Sequence, residues 1–132
     1  MKLSAYLRMN EIYKEHILEH YRNPQNKGVL SDATFVHKEF NPFCGDELTM
    51  HVKLDNQMRT EKLAFEGRGC AISLAAASLF TEELCGKSFE QVRSISKTDI
   101  EVMLGIPLST VRIQCAMLPV RAVVSGWKKY LL

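Results

Sequence analysis

The sequence predicts an α+β domain in which a small, three-stranded antiparallel sheet packs against several helices. Three short strand-like runs follow one another at residues 33–40, 48–54 and 63–66, and most of the helical periodicity comes after them. Strands grouped ahead of helices favour an antiparallel sheet, whereas parallel sheets alternate strand and helix. The chain has 132 residues, 46% of them hydrophobic, which is enough to bury one core. We therefore expect a single domain over residues 1–132.

The elements ahead of the third strand follow from local patterns. Apolar residues and histidines recur at helical spacing between Ile12 and His20, which predicts an amphipathic helix over about residues 6–21. Asn23-Pro24 should end that helix, because proline restricts the residue before it. The turn residues Asp55-Asn56-Gln57 separate the second and third runs and predict a hairpin there.

Four helices are predicted after the sheet, and helix-capping residues set their limits. They cover residues 71–84, 89–93, 99–103 and 110–130. Gly86 is typical of a helix end, and Ser88 and Thr98 are suited to cap the two short helices. Pro119 lies within the last helix and predicts a kink or a boundary.

Composition and charge exclude several classes of function. The 17 basic and 15 acidic residues give a net charge of +2 without a block of like charge, so we expect no nucleic-acid partner. The N-terminus lacks the apolar run of a secretory signal, and the weakly polar stretch 70–80 is too short to span a bilayer. We expect a cytoplasmic protein without a membrane partner. Its four cysteines are then reduced thiols rather than disulfides.

Three of the four cysteines lie where one predicted element ends and the next begins. Cys44 falls in the loop between the first two strands, and Asp46 follows within reach of the same ion. Cys70 stands at the predicted start of a helix, where exposed N–H groups and the helix dipole stabilise a thiolate. Cys115 lies early in the last helix or just ahead of it. Thiolates suit zinc and iron–sulfur clusters, so these cysteines are candidate ligands that meet only in the folded chain.

Each cysteine also has a plainer interpretation. Cys44 could be a reduced loop residue, Cys70 a capping residue packed on the sheet, and Cys115 a core residue. Cys85 has neither a glycine nor an acid in a comparable context, and we interpret it as structural or incidental.

One short motif offers a different function. Residues His16 to His20 match His-x-x-Glu-His, the pattern of one class of zinc protease. Such an enzyme also needs a distant acidic ligand and a substrate cleft. The alternative is two partly exposed histidines one helical turn apart.

Taken in order, several segments resemble the U-type iron–sulfur cluster assembly family, which includes IscU, SufU and the N-terminal domain of NifU. The matching segments are residues 20–28, Cys44-Gly45-Asp46, residues 65–73, Thr98-Asp99-Ile100 and residues 112–118. Their order and spacing agree over nearly the whole chain. The first segment begins at His20, which assigns that histidine to the family motif and removes support for the protease interpretation.

The resemblance implies a SufE/NifU-like fold and a specific site. The family's ligands correspond to Cys44, Asp46, Cys70 and Cys115, which hold a transient [2Fe–2S] cluster or a zinc ion. A cysteine desulfurase of the IscS or SufS type supplies sulfur as persulfide, with Cys115 as the candidate acceptor beside Cys44. The cluster then passes to a carrier or an acceptor apo-protein. This implies a non-enzymatic scaffold. The alternatives are a zinc-dependent sulfurtransferase of the SufU type and a structural zinc protein.

The sequence departs from both branches of the family. IscU proteins have histidine where this chain has Gln114, which leaves Asp46 as the natural fourth ligand, as in SufU. SufU proteins carry an insertion ahead of the third cysteine that this chain lacks. IscU presents Leu-Pro-Pro-Val-Lys to a chaperone, and the aligned residues 108–112 read Leu-Ser-Thr-Val-Arg. The pathway and the need for a chaperone therefore stay open at this point.

Overall fold

The strands precede most of the helices, as predicted. The computed structural model describes residues 14–43 and 45–132. Its elements are α1 (residues 14–22), β1 (Phe35–Phe40), β2 (Glu47–Leu54), β3 (Thr60–Arg68), α2 (Ala71–Glu83), α3 (Phe89–Arg93), α4 (Lys97–Leu104), α5 (Thr110–Ala116) and α6 (Leu118–Leu131). The predicted α+β class with a three-stranded sheet is confirmed. The predicted start of the first helix, near residue 6, lies outside the described residues.

The sheet is an antiparallel meander of order β1-β2-β3. The central strand pairs with both neighbours, so that Val52 lies opposite Phe35 on one side and Leu63 on the other. The predicted hairpin is present, and the carboxylate of Asp55 closes it by accepting from the N–H groups of Gln57 and Arg59 at 2.8 and 3.0 Å. Strand β3 is longer than predicted, because ladder pairing extends over the polar residues at its start.

The core lies between one face of the sheet and the helices. Leu48, Met50 and Val52 alternate along β2 and are fully buried. Alternation of this kind places one face of a strand against the core. Helices α2 and α6 cover this face, and Phe80 and Trp127 contribute the largest buried side chains from them. This packed core fixes the loops that leave the sheet. It also fixes the starts of α2 and α5.

The prediction that Thr98 caps α4 is wrong, because Ser96 caps it. Ser96 Oγ accepts a hydrogen bond from the Asp99 N–H at 3.2 Å, and Asp99 Oδ2 accepts from the Ser96 N–H at 2.9 Å. A cap at Thr98 would need Glu101 for the reciprocal bond. Glu101 instead accepts from the Leu108 N–H at 2.6 Å and fixes the loop after the helix.

The cap predicted at Ser88 is observed, and the helix predicted over residues 110–130 is divided into two at Pro119. Ser88 caps α3 in a reciprocal capping box with Gln91. Pro119 marks a boundary, since α5 ends at Ala116 and α6 starts at Leu118. In the first turn of a helix proline costs no hydrogen bond. None of the helices in the described ranges is long and apolar enough to cross a membrane.

Candidate metal centre

Three of the four predicted site residues come together in space. Asp46 directly precedes β2, Cys70 is the N-cap of α2, and Cys115 lies on α5. One carboxylate oxygen and the two sulfurs all lie within 4.8 Å of one another. Within residues 14–43 and 45–132 this is the one group of three or more such side chains that could hold a metal ion. Cys44 lies outside the described residues, so its part in the site stays a prediction.

The carboxylate of Asp46 is held by one oxygen and open at the other. Its Oδ1 accepts a hydrogen bond from the backbone N–H of Cys70 at 3.3 Å. Its Oδ2 is buried and has no hydrogen-bond partner among the described residues. A buried carboxylate oxygen without a partner is costly. A cation bound between this oxygen and the two thiolates would remove that cost, so the residues fit a metal ion.

A closed loop between β1 and β2 sets the position of Asp46. The Asn41 N–H donates to the Asp46 carbonyl at 2.8 Å, and the Gly45 N–H donates to the Asn41 carbonyl at 2.9 Å. Gly45 has a φ of +74°, a left-handed conformation that glycine adopts without strain. The side-chain oxygen of Asn41 accepts from the Phe43 N–H at 3.1 Å. These bonds hold Asn41, Gly45 and Asp46 in a tight turn that fixes the position of Asp46.

Gly69 allows the carboxylate to approach the start of α2. A Cβ atom at this position would collide with Ser73 Oγ and lie 2.8 Å from Asp46 Cγ. Ser73 is buried, and its hydroxyl donates to the Cys70 carbonyl at 3.1 Å. The Cys70 Sγ lies 3.7 Å from the same hydroxyl oxygen. The absence of a side chain at residue 69 is thus a condition for the contact between Asp46 and Cys70.

The side chain of Gln114 is hydrogen-bonded to Arg121. Arg121 Nη1 donates to Gln114 Oε1 at 2.7 Å, and Nη2 donates to the Gln114 carbonyl at 3.1 Å. The amide oxygen therefore already serves a guanidinium group. The donor set of the described residues is two thiols and one carboxylate, to which Cys44 would add a third thiol.

Sequence reasoning missed two residues of this arrangement. Arg121 holds Gln114 from the far side of Pro119, and no local pattern pointed to it. Asn41 is fully buried and donates from Nδ2 to Cys115 Sγ at 3.5 Å. The signal that could have found Asn41 is its position before Pro42, because asparagine side chains often hydrogen-bond the backbone two residues on and close a turn.

The site opens to the surface on the side of Cys70. A cavity of about 550 Å³ lies there, between the start of α2 and the loop that leads into α5. Its wall includes Ile72 and Leu108 as apolar surface and Arg112 as a positive charge. Cys115 is only 1% exposed, whereas Cys70 is partly exposed. A partner would therefore reach the site past Cys70.

The remaining candidate residues lie apart from this centre. The rings of His16 and His20 meet edge to face with centroids 4.8 Å apart, and His20 Nδ1 is hydrogen-bonded to Ser78 Oγ at 2.7 Å. Burial, followed by repulsion from His16, lowers the pKa of His20. Cys85 is exposed, with its sulfur near the carbonyls of Glu61 and Thr81. Neither histidine nor Cys85 joins a metal-ligating group of three in the part of the chain that the structure describes.

The fold and the site define a known class of protein. The family profile described as NifU-like N terminal domain matches residues 12–132. The chain belongs to this family, and the resemblance to the U-type iron–sulfur assembly proteins is confirmed.

Curated relatives fall in both branches of the family. The chain is 37% identical to the zinc-dependent sulfurtransferase SufU of Bacillus subtilis (strain 168), with 92% of each chain covered. It is 31% identical to the iron–sulfur cluster assembly scaffold protein IscU of Escherichia coli (strain K12), covering 88% of this chain and 94% of that protein. The alignment with SufU spans 138 positions, more than the 132 residues of this chain, so SufU has residues that this chain lacks.

Solved structures show the same fold. A NifU-like protein (N-terminal) from Brucella abortus has a TM-score of 0.77 at 18% identity and covers 92% of this chain and 96% of that one. The SUF-system scaffold protein FiSufU of Fervidobacterium islandicum AW-1, described as putative, has a TM-score of 0.74 at 22% identity, with 85% and 93% covered. At these identities the comparison establishes the fold alone.

Proposed function

We propose that this protein is an iron–sulfur cluster assembly scaffold. Cys44, Asp46, Cys70 and Cys115 would hold iron while a [2Fe–2S] cluster forms, and would then yield the cluster to a carrier or an acceptor apo-protein. The observation that carries the proposal is the carboxylate of Asp46, which lies in one group with the sulfurs of Cys70 and Cys115 and whose buried Oδ2 has no hydrogen-bond partner among the described residues. The IscU and SufU names of its relatives support the same function.

Sulfur would arrive from a cysteine desulfurase as a persulfide. A thiolate of this chain attacks the outer sulfur of that persulfide, and the desulfurase cysteine leaves as a thiolate. We assign the accepting role to Cys115, with Cys44 as the other candidate. Because persulfide sulfur is at the zero oxidation level, its conversion to sulfide takes two electrons from an external reductant. The cavity beside Cys70 is the route by which the partner would reach the site.

The ligand set suits temporary rather than permanent binding. Thiolates hold iron firmly, while a carboxylate is a hard ligand and a poorer match for a cluster. An electron-transfer protein usually keeps four thiolates. A site with one exchangeable oxygen ligand and one partly exposed sulfur can be filled and also emptied.

A zinc-dependent sulfurtransferase is the second candidate, and one contact favours it. The engagement of Gln114 by Arg121 leaves three thiols and a carboxylate as the donor set when Cys44 is included. Four such ligands suit tetrahedral Zn²⁺. In this role one cysteine leaves the metal to accept persulfide, and no cluster forms. Either role places the protein in the reducing cytoplasm, where its thiols stay free of disulfides.

Anaerobic reconstitution separates these functions. The full chain is incubated with ferrous iron, cysteine, a cysteine desulfurase and dithiothreitol, and the absorbance of a [2Fe–2S] centre is followed before and after addition of apo-ferredoxin. A scaffold develops this absorbance and loses it to the ferredoxin, and Cys85→Ser behaves like the wild type while Cys70→Ser does not. Faster desulfurase turnover with the zinc-loaded protein, without a cluster, would establish the sulfurtransferase instead. Bound zinc with neither activity would leave a structural zinc protein.

A further inference from the structure

Asn41 joins the two parts of the chain that carry the candidate ligands. It lies in the loop before β2, and its amide is fully buried against Cys115 on α5, 74 residues further along the chain. Polar side chains are rarely this buried unless their hydrogen bonds are made inside the protein. The burial of the Asn41 side chain therefore depends on the hydrogen bonds that it makes.

Four hydrogen bonds of Asn41 to other described residues serve the site. Its backbone N–H and carbonyl close the loop through Asp46 and Gly45. Its Oδ1 accepts from the Phe43 N–H, which orients the amide plane. With Oδ1 engaged in this way, Nδ2 points to Cys115 Sγ, 3.5 Å away. One side chain thus sets the loop and aims a donor at a sulfur.

A donor aimed at a ligand sulfur has two physical consequences. It fixes the direction of the sulfur's lone pairs, which places Cys115 relative to Asp46 before any ion binds. It also stabilises negative charge on the sulfur, which lowers the electron donation of that sulfur to a metal. Hydrogen bonds to ligand sulfurs tune metal and cluster sites in this way.

We propose that Asn41 is a positioning residue of the metal site, acting through an Nδ2–H···Sγ hydrogen bond to Cys115. This inference rests on the proposed function, because it assigns Cys115 as a ligand. It concerns the bound metal alone and requires neither a desulfurase nor cluster transfer. The loop that carries Asp46 and the helix that carries Cys115 are then held in a fixed relative position by one amide.

The direct test uses the wild-type chain loaded with cadmium enriched in a magnetic isotope. A hydrogen bond to a cadmium-bound thiolate transmits scalar coupling from the metal to the donor proton. We expect the side-chain NH₂ resonance of Asn41 to show this coupling, and that of Asn23, which donates to Glu19, to show none. A cadmium-loaded protein without coupling at Asn41 would overturn the inference. Failure of cadmium to bind would overturn both this inference and the proposed function.

Cobalt substitution tests the energetic consequence. Asn41→Leu keeps the number and branching of the side-chain heavy atoms and removes the donor, and Asn41→Ala is the smaller alternative. With Co²⁺ alone as the probe, we expect the thiolate-to-cobalt charge-transfer band to move to longer wavelength, because the sulfur donates more strongly without the hydrogen bond. We expect the dissociation constant to rise about 10–100-fold, because the loss of positioning of Cys115 outweighs the stronger donation. Asn23→Ala should match the wild type. A lower unfolding temperature with an unchanged band would show that Asn41 only stabilises the loop. The two proposals can also fail separately. If the wild type shows the cadmium coupling at Asn41 but does not transfer a cluster, the role of Asn41 stands and the scaffold function is wrong.

Discussion

The backbone N–H of Cys70 donates a hydrogen bond of 3.3 Å to Oδ1 of Asp46, and this bond leaves the other carboxylate oxygen, Oδ2, without a hydrogen-bond partner among the described residues. The N–H belongs to the N-cap residue of α2. Backbone N–H groups at a helix start lack partners within the helix and favour negative charge. The helix therefore positions the carboxylate as well as the thiol, and Asp46 keeps one oxygen for a metal.

We expect Asp46→Ala to retain a cluster longer and to release it about tenfold more slowly, which corresponds to about 1.4 kcal/mol on the barrier. The physical reason is that the carboxylate is the hard, exchangeable ligand and also places negative charge beside the cluster. The measurement is the decay of cluster absorbance after addition of apo-ferredoxin. Glu47→Ala is the matched control, since Glu47 follows in sequence but pairs with Arg68 at the surface. Transfer from Asp46→Ala as fast as from the control would show that another ligand is the labile one.

Gln114→Ala should leave zinc affinity within about twofold of the wild type, because Gln114 Oε1 is bound by Arg121 rather than directed to a metal. It should lower the free energy of unfolding by about 1 kcal/mol, the typical net contribution of one hydrogen bond, since partial exposure to solvent reduces the larger value of a bond to a charged group. Competition with a chromophoric chelator and urea unfolding give the two quantities. Arg121→Ala should reproduce the loss of stability. A large loss of zinc in Gln114→Ala alone would make the amide a ligand after all.

Much of the fold could be predicted because its signals are local. The strand order follows from consecutive hairpins, and Ser88 and Pro119 act through residues within one turn of them. The cap of α4 could not be decided this way. Ser96 and Thr98 both have an acid three residues later, and the choice depends on Glu101 being engaged by Leu108 in the next loop.

The candidate site also has a part that local sequence predicts and a part that it does not. Asp46, Cys70 and Cys115 stand in contexts that are recognisable one by one, and the fold brings them within 4.8 Å. The contacts that support them join distant parts of the chain. Asn41 reaches Cys115 across 74 residues, and such pairs have no signature in a single sequence.

The pH dependence of stability should include a contribution from His20. Burial lowers the pKa of His20 below its usual 6.5, His16 adds to the effect, and Glu82 and Glu19 oppose it. Well above pH 6.5 His20 is neutral in both the folded and the unfolded chain, so its protonation does not change the free energy of unfolding. Below that pH the unfolded chain gains a proton first, and stability falls as the pH drops. We expect His20→Gln to lose less stability than the wild type between about pH 7.5 and about pH 5.5. Urea unfolding at the two pH values gives the free energy of unfolding of each protein. An equal loss of this free energy in the wild type and in His20→Gln would contradict the prediction.

Gly69→Ala should weaken metal binding while the fold persists. The added Cβ would lie 2.8 Å from Asp46 Cγ and collide with Ser73 Oγ, so the carboxylate must move away from the start of α2. We expect the dissociation constant for zinc to rise about 10–100-fold, the usual effect of disturbing a group that orients a ligand. Circular dichroism reports the fold, and chelator competition reports the affinity. Adding Ser73→Ala removes the contact with the hydroxyl but not the contact with Asp46, so the double variant should stay weak. Recovery of affinity in the double variant would mean that Ser73, and not the displaced carboxylate, limits binding.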